Sequence, residues 1–427
     1  MADQEKIKEL FSSEKITSII PINPDYPEWF NEFKLNSAEN LMDQNLPSIK
    51  DSEWESTRIN SLTERLFNDD FDVSKMVNDV TAENIKKDPN KITINFSNGI
   101  YTSSEELPSH IKILSHVNNK DQFRDLLDIK KESTDSFSSI LNSIFLSDLL
   151  LIEVSDNQKV DTLIHIINHA SHEANLAPRI EIRAGKNSSI KVFEEVKSSN
   201  NSIMNHVLRV NCQKSANIEF YKVIDRQENS HYLGNQHIEA GESSRIRFFL
   251  WDFGGDTSKT VTDANLLGKR SRINYSALFT PRKNFHSGNQ IKINHEASNT
   301  KSKIKVRGVL HDQSSGVFYG KIKVKESVTK TSAFMENKNL LLSDDASISS
   351  KPILEIYNDD TQCSHSATSG TIDKEKLFYL KTRGIDEVDA KGFLVNSFIE
   401  EISGEITNKQ IKNVFRKYLL EDKNHKL

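Results

Sequence analysis

The middle of the chain repeats one pattern of apolar and polar positions about every 28 residues, a period typical of repeat proteins. A run of small polar residues precedes an apolar residue that opens a strand of alternating polarity, and these nearly evenly spaced openings are Ile190, Ile218, Ile246, Ile273 and Ile304. Ala333 continues the series at a similar interval. Second strand-like runs begin at Asn205, Asn235, Asn289 and Asn337. Two strands per repeat predict a parallel β-solenoid, whose stacked rungs share one core. A β-sandwich with evenly spaced strands is the alternative.

The flanking regions have other periods. Residues 6–11, 29–42 and 135–145 have helical spacing, and residues 91–96 alternate as a strand before a Ser-Asn-Gly turn. Near the C-terminus, Asp373 is a candidate N-cap, Gly384 ends that helix, and residues 387–401 and 406–420 predict two more helices. We therefore expect a mainly β protein with a mixed N-terminal α/β region (1–145), a parallel β-helix core (146–372) and a C-terminal helical region (373–427).

Composition narrows the class of protein. Hydrophobic residues are 36% and charged residues 27% of the 427 positions, which suits an elongated fold with much surface per residue. The formal net charge is -5 without a basic tract, so we expect no nucleic-acid partner. Two cysteines are too few for a disulfide framework and indicate a reducing compartment. The most apolar stretch, residues 144–154, is too short to span a bilayer, so we expect a cytoplasmic protein without a membrane partner.

Motifs for catalysis are missing from the sequence. We find no phosphate-binding glycine loop, no HExxH and no GxSxG, so we predict no enzyme. His165, His169 and His172 could bind a metal on a helix, but their neighbours alternate as in a strand, which would separate the rings. Cys212 lies at a repeat turn and is predicted to be core.

Cys363 and His365 form the best candidate site. Two residues apart on a strand, they would face the same side, and both bind soft or borderline metals such as iron and zinc. Two ligands do not complete a site, so further ligands would have to come from elsewhere. A turn with a buried thiol is the structural alternative.

The C-terminal half resembles a known family. The segments RGVLHDQSSGVFYGKIKV, NKNLLLSDDA, KPILEIYNDDTQCSHSATSG and LFYLKTRGI, within residues 284–403, resemble in this order the shared core of the SufB/SufD iron–sulfur cluster assembly scaffolds. Within the family, CSHSAT and the N-terminal EWESTR are most similar to SufD, although Ser366 stands where the family usually has glycine. The resemblance implies a right-handed parallel β-helix that works inside a complex of SufB, SufD and two copies of the ATPase SufC.

The resemblance also implies a function. A SufD-type subunit would support iron acquisition and cluster assembly at the interface with SufB, with His365 first and Cys363 second as ligands of iron or a nascent cluster. Because a solenoid end leaves unpaired strand groups, we expect SufB to pair with the β-helix edge, and without SufB we expect the chain to form a homodimer or to aggregate. SufC would hydrolyse ATP and dock on the C-terminal helices, where we expect contacts from Arg383, Asp386, Glu387 and Lys391. Reduced flavin is a further candidate cofactor of such a complex, but nothing in the sequence supports it.

Two other functions remain open at this stage. The chain could be a generic β-helix interaction protein whose cysteine and histidine have no metal role. It could also be a β-helix enzyme acting on polysaccharide, but its strands expose mostly Lys, Glu, Asn and Ser in no obvious acid pair.

Overall fold

The structure is a computed structural model of the 427-residue chain. It describes residues 20, 22, 27–42, 54–55, 57, 91–104, 108, 110–115, 137–146, 148–170, 175–199 and 201–421. The predicted helix at residues 6–11 lies outside the described residues.

Strands dominate the described chain, and five helices flank them. The first helix is α1 (Glu28–Met42), and the second is α2 (Phe137–Phe145). The strands are β1 (Lys91–Ser97), β2 (Ile100–Ser104), β3 (Ile111–Ser115), β4 (Leu149–Val154), β5 (Leu163–Ala170), β6 (Asn175–Leu176), β7 (Arg179–Ala184), β8 (Ser189–Ser198), β9 (Ile203–Cys212), β10 (Asn217–Asp225), β11 (His231–Ala240), β12 (Arg245–Asp252), β13 (Thr257–Leu266), β14 (Arg272–Phe279), β15 (His286–His295), β16 (Lys301–Leu310), β17 (Ser315–Val324), β18 (Thr331–Leu341), β19 (Ser347–Ile356) and β20 (Thr361–Thr371). The remaining helices, α3 (Lys374–Thr382), α4 (Glu387–Ser403) and α5 (Lys409–Glu421), follow β20.

The strands form two sheets, and from β7 onward the chain alternates between them. Sheet A has the order β2-β1-β5-β8-β10-β12-β14-β16-β18-β20, and sheet B the order β19-β17-β15-β13-β11-β9-β7-β4-β3, with β6 beside β9. All neighbours are parallel except β1 with β2 and β3 with β4. This is the predicted β-solenoid, which excludes the sandwich. Because β1 pairs with β5 and β3 with β4, strands before residue 146 extend both sheets. The division into three regions stays a prediction.

The apolar repeat sets the register between rungs. Ile190, Ile218, Ile246 and Ile273 pair in one inward column, as their spacing predicts. The next member of this column is Ser302, which pairs with Ile273 on one side and Ala333 on the other, while Ile304 lies two residues further along. The predicted anchor at Ile304 was therefore wrong by two residues. A shift of two keeps each side chain on the same face of the strand, so Ile304 still points into the core.

The predicted second strands of the repeat agree less closely with the structure. Asn337 does not open a second strand, because β18 is a single strand that contains both Ala333 and Asn337. Asn205, Asn235 and Asn289 do lie in second strands, β9, β11 and β15, as predicted. They are not at equivalent positions, since Asn205 pairs with Leu233 and Asn235 with Val207.

A left-handed residue recurs at one turn of each rung. Asn187, Ser215, Ser243, Arg270, Asn299 and Lys330 all have a positive φ between 55° and 64°. The backbone N–H of Asn187 donates to the Lys214 carbonyl (2.9 Å), and that of Ser215 donates to the Glu242 carbonyl (2.8 Å). Each turn thus bonds to the next, and the small polar runs in the sequence supply residues that tolerate this conformation.

Helices cover the outer faces of both sheets. Helices α1 and α2 pack against sheet B at Ala177, Ile203 and Leu233. Helices α4 and α5 cover sheet A, where Trp251 stacks on Phe415 at 5.2 Å between ring centroids. No described helix has the length and apolarity that crossing a membrane requires.

The solenoid interior contains a charged cluster that the sequence analysis missed. Glu194, His206 and Lys222 are fully buried between the sheets. One Glu194 oxygen lies 2.8 Å from His206 Nε2 and the other 2.9 Å from Lys222 Nζ, which is also 3.2 Å from His206 Nδ1. Burial alone would raise the pKa of Glu194, but the two partners lower it to about 2, whereas burial lowers the pKa of His206 and of Lys222. A neutral His206 therefore bridges the carboxylate and the ammonium group.

We predict that Glu194→Gln lowers the free energy of unfolding by about 3–5 kcal/mol, because it leaves Lys222 buried without its carboxylate. The double variant Glu194→Gln/Lys222→Met should recover part of this loss, because it removes the unpaired charge as well. The measurement is urea unfolding. The folded pKa of Glu194, about 2, lies below the value of about 4.3 for an unfolded glutamate. The carboxylate thus stabilises the fold above pH ~4.3, and the gap between wild type and Glu194→Gln should narrow as the pH falls toward 2.

Glu242→Gln is the matched control. Glu242 pairs with Lys214 and Arg270 at exposed turns, so its loss should leave the unfolding midpoint unchanged. Equal effects of Glu194→Gln and Glu242→Gln would contradict the assigned role of the buried cluster.

Candidate functional site

Among the described residues, the solenoid ends at an open rung. β19 and β20 are the last strands of sheets B and A, so each has a described strand partner on one side. From residue 347 to residue 389, no side chain is fully buried. Several apolar side chains here, including Ile348, Leu354 and Ile356, are only partly covered by the main core. An unpaired strand edge with partly exposed apolar groups is a template for pairing with another chain.

Cys363 and His365 both lie on β20, at this open end. Cys363 pairs with Ala333 and His365 with Met335, two residues whose side chains are in the core. The cysteine and the histidine therefore share one face of the strand, as their spacing predicted, and the structure shows that this face belongs to the inward-facing set of the last rung. The segment is a strand as far as Thr371, so the interpretation as a turn was wrong, and Ser366 lies in a strand, not in a turn.

The two candidate ligands differ in burial. Cys363 is half-buried against the core, whereas His365 is exposed. Burial raises the pKa of the Cys363 thiol above its ordinary value. The thiol is therefore protonated at neutral pH, and a metal ion that binds it has to displace the proton. No cluster of three His, Cys, Asp or Glu side chains suited to a metal occurs in the described part of the chain, and within that part Cys363 and His365 have no third ligand of these types.

A polar cluster lies beside the candidate ligands. Asn337 and Asn339 exchange two hydrogen bonds (3.1 and 2.7 Å), Ser350 donates to Asn337 (2.8 Å), and Asn339 donates to Ser369 on β20 (3.1 Å). These amides join sheets A and B at the last two rungs. The Asn-x-Asn spacing in β18 was the available signal, because it places both side chains on one face of a strand.

The four residues predicted to contact a partner lie together around the junction of α3 and α4. Asp386 caps α4 by accepting a hydrogen bond from the Asp389 backbone N–H (2.9 Å). Glu387 lies 2.7 Å from Lys381 and 3.1 Å from Lys391, and these two ammonium groups lower the pKa of Glu387 to about 2. The Arg383 guanidinium lies over the Tyr379 ring at 5.1 Å.

Apolar side chains flank this charged junction. The helix α3 is capped by Asp373 and ends before Gly384, which has φ +84°, as predicted, but it buries no residue. Phe378 and Phe393 are 69% and 59% exposed, and Tyr379 and Val388 are also exposed. Aromatic rings at this exposure are a common feature of protein-binding surfaces.

The other candidate ligands named from the sequence are three histidines and Cys212, and His165 and Cys212 have structural roles. His165 and His169 lie on β5, and His172 lies outside the described residues. His165 Nε2 is 2.6 Å from Glu195, which also accepts a hydrogen bond from Tyr418 of α5 (2.9 Å), so this pair fastens α5 to sheet A. Cys212 is a core residue, as predicted, and burial raises its pKa to about 12.

Comparison with known proteins gives a family. Residues 165–398 match the SUF system FeS cluster assembly, SufBD core domain. The chain is 30% identical over 203 residues to the iron–sulfur cluster assembly protein SufD of Escherichia coli, covering 48% of each chain. It is 23% identical over 411 residues to SufD of Bacillus subtilis, covering 90% of this chain and 92% of that protein. A SufBD family protein of Synechocystis is 24% identical over 395 residues, which is 87% of this chain and 86% of the relative.

The matched region runs from β5 to α4, and it contains the open rung with Cys363 and His365 as well as the junction of α3 and α4. Since it covers more than half of the chain, the protein belongs to the SufBD family of iron–sulfur cluster assembly proteins.

Proposed function

We propose that this chain is a SufD-type subunit that completes an iron site together with a SufB-type partner at the open rung. The observation that carries the proposal is the position of Cys363 and His365 on the last strand of sheet A. Iron or a nascent cluster is the cargo of this site, and the chain itself is a scaffold without catalytic activity.

The incomplete ligand set supports a shared site. Tetrahedral metal sites with N and S ligands need about four donors at about 2.0–2.3 Å, and the pair on β20 supplies two at most. A partner strand added beside β20 would bring its own side chains to the same face of the sheet. Its approach would also cover the partly exposed apolar residues of β19. Without that partner, the same edge would pair with a second copy of this chain.

The protonation state of Cys363 supports transient binding. Because its pKa is raised, the isolated chain offers a neutral thiol, which is a weak ligand. A cation held by the partner's ligands would lower the pKa of Cys363 and recruit it. His365, exposed and on the same face, is the ligand available first.

The junction of α3 and α4 is the proposed docking surface for a SufC-type ATPase. Exposed Phe378, Tyr379, Val388 and Phe393 supply apolar contacts, and Arg383, Asp386, Glu387 and Lys391 supply charges around them. ATP hydrolysis belongs to that partner. We place the assembled complex in the cytoplasm.

A generic solenoid interaction protein without a metal role is the second candidate. It requires the same open edge and the same exposed helix face, so geometry alone does not separate the two functions. The iron content of the assembled complex does separate them.

We predict that His365→Ala leaves the complex with its SufB-type and SufC-type partners assembled but lowers the iron and cluster content by roughly tenfold, because one ligand of the shared site is lost. The complex is reconstituted anaerobically and measured by absorbance, iron analysis and size-exclusion chromatography.

His169→Ala is the matched control, since His169 is also exposed and also on sheet A, but at the distant strand β5. Wild-type iron content in the His365→Ala complex would refute the ligand role. Loss of assembly would show that His365 serves the interface instead.

We predict that Phe378→Ala/Phe393→Ala abolishes co-purification of the ATPase and leaves the thermal melting of this chain unchanged, because both rings are exposed in the free chain. The charge swap Glu387→Lys/Lys391→Glu should weaken binding as well, while it keeps an ion pair at i and i+4 within the helix. Binding is measured by isothermal titration calorimetry.

Leu267→Ala is the control for this pair of substitutions. Leu267 is an exposed apolar residue in the turn between β13 and β14 and belongs to neither α3 nor α4. ATPase binding that survives both sets of substitutions would place the docking surface elsewhere.

A further inference from the structure

A nearly buried arginine joins the C-terminal helices to the strands behind the open rung. Arg307 lies on β16, and its side chain is 2% exposed. Its guanidinium contacts Glu336 of β18 and lies 3.1 Å from Glu401 of α4. The planar group also lies over the ring of Phe398 of α4, at 5.9 Å.

A second cation completes a set that we call the Arg307 cluster: Arg307, Glu336, Lys338 and Glu401. Lys338 Nζ of β18 is 3.7 Å from Glu336 and 3.5 Å from Glu401. The cluster thus connects β16 to β18, β16 to α4, and β18 to α4. Glu405, just after α4, adds ion pairs with Lys303 and Lys305, but these reach β16 only.

The cluster lies one strand away from the candidate ligands. In the pairing of β18 with β20, Glu336 is opposite Ser366 and Lys338 is opposite Thr368. Met335, the neighbour of Glu336, is opposite His365. A displacement of β18 therefore moves the backbone that carries His365 and Cys363.

Stability does not account for this arrangement. Burial of an arginine with carboxylates gives little net stability, because desolvation offsets the attraction, and apolar residues of similar volume often do as well. A guanidinium instead fixes geometry, because its donors point in set directions in one plane. Here the fixed geometry relates α4, a helix of the proposed docking surface, to β18, the strand beside the one that carries the candidate ligands.

We infer that Arg307 is a positioning residue that transmits movement of α4 to β18 and β20. The inference rests on the proposed function, in which an ATPase moves the helices α3 and α4. Helix α3 follows β20 after two residues and buries no side chain. If this covalent connection were the only link, α3 could change its orientation without moving β20. With the Arg307 cluster intact, α4 cannot slide over sheet A independently of β16 and β18. Movement of the helices then changes the exposure of the site strand.

Cys363 reports this movement. In the complex with SufB-type and SufC-type partners, its alkylation by N-ethylmaleimide is followed with and without Mg-ATP by peptide-resolved mass spectrometry. Cys212 in the same sample is the folding control, because burial and a pKa of about 12 keep it unreactive until the solenoid opens. In the wild-type complex we expect ATP to change the rate at Cys363 by roughly fivefold or more.

Arg307→Met should reduce this ATP effect to less than about twofold, because methionine keeps the apolar contact but loses the hydrogen-bond donors of the guanidinium. The ATPase should remain bound to this variant, and Cys212 should remain unlabelled. Glu401→Gln should act in the same way. Arg247→Met is the matched control. Arg247 lies 3.5 Å from Glu219 and 3.4 Å from Thr407, a residue shortly after the end of α4, so it also links a strand to the helical region. It differs from Arg307 because it lies on β12, further from β20, and its side chain is half exposed. Arg247→Met should keep the full effect.

Two outcomes overturn the inference, and they are distinguishable. A full ATP effect in Arg307→Met refutes the role of Arg307 and leaves the proposed function intact. No ATP effect in the wild-type complex refutes the ATPase coupling within the proposed function, and the inference with it.

Discussion

Backbone pairing between successive rungs is the constraint on which the rest of this molecule depends. Each strand from β8 to β18 satisfies its N–H and C=O groups with a strand on either side. The same regularity cannot satisfy the last rung, where β19 and β20 each keep one edge without a described strand. The end of such a solenoid needs a partner that pairs with these strand edges. The candidate ligands and several partly exposed apolar side chains lie at the same end. The fold thus gives a reason why the candidate site is at an end and not in the interior.

The repeat predicted most of the core, because the inward positions of a strand must be apolar in every rung. Ile190, Ile218, Ile246 and Ile273 could be aligned from spacing alone. The error at Ile304 arose because the first inward position of β16 is Ser302, a polar residue two positions before Ile304. An apolar pattern cannot distinguish registers that differ by two residues. The length of β18 was missed for a related reason: a long strand with asparagines in its middle has the same pattern as two short strands.

Buried charges were not predicted, although the sequence contained a usable signal. Glu194 and Lys222 are one repeat apart, and the structure pairs them on neighbouring strands. Opposite charges one period apart at inward positions therefore indicate a stacked ion pair. His165 and Glu195 are separated by a similar interval, on adjacent strands of the outer face of sheet A. The contact between Arg307 and Glu401 carried no such signal, because a helix packed on a sheet does not share the period of the strands.

The candidate site was predicted in part, and its surroundings show why. The spacing of Cys363 and His365 predicted their common face, but it could not predict that Cys363 is half-buried and His365 exposed. Sequence patterns predicted α3, yet this helix buries no residue. A helix that buries no residue, joined by two residues to a strand without a described partner on one side, is unlike a stable cap. In the proposed complex, a SufB-type partner would cover the edge of β20 and a SufC-type partner would cover the junction of α3 and α4. The Arg307 cluster would connect these two surfaces. A weak, half-formed ligand pair is then suited to its task, because iron that bound tightly to this chain alone would not respond to movement of the helices.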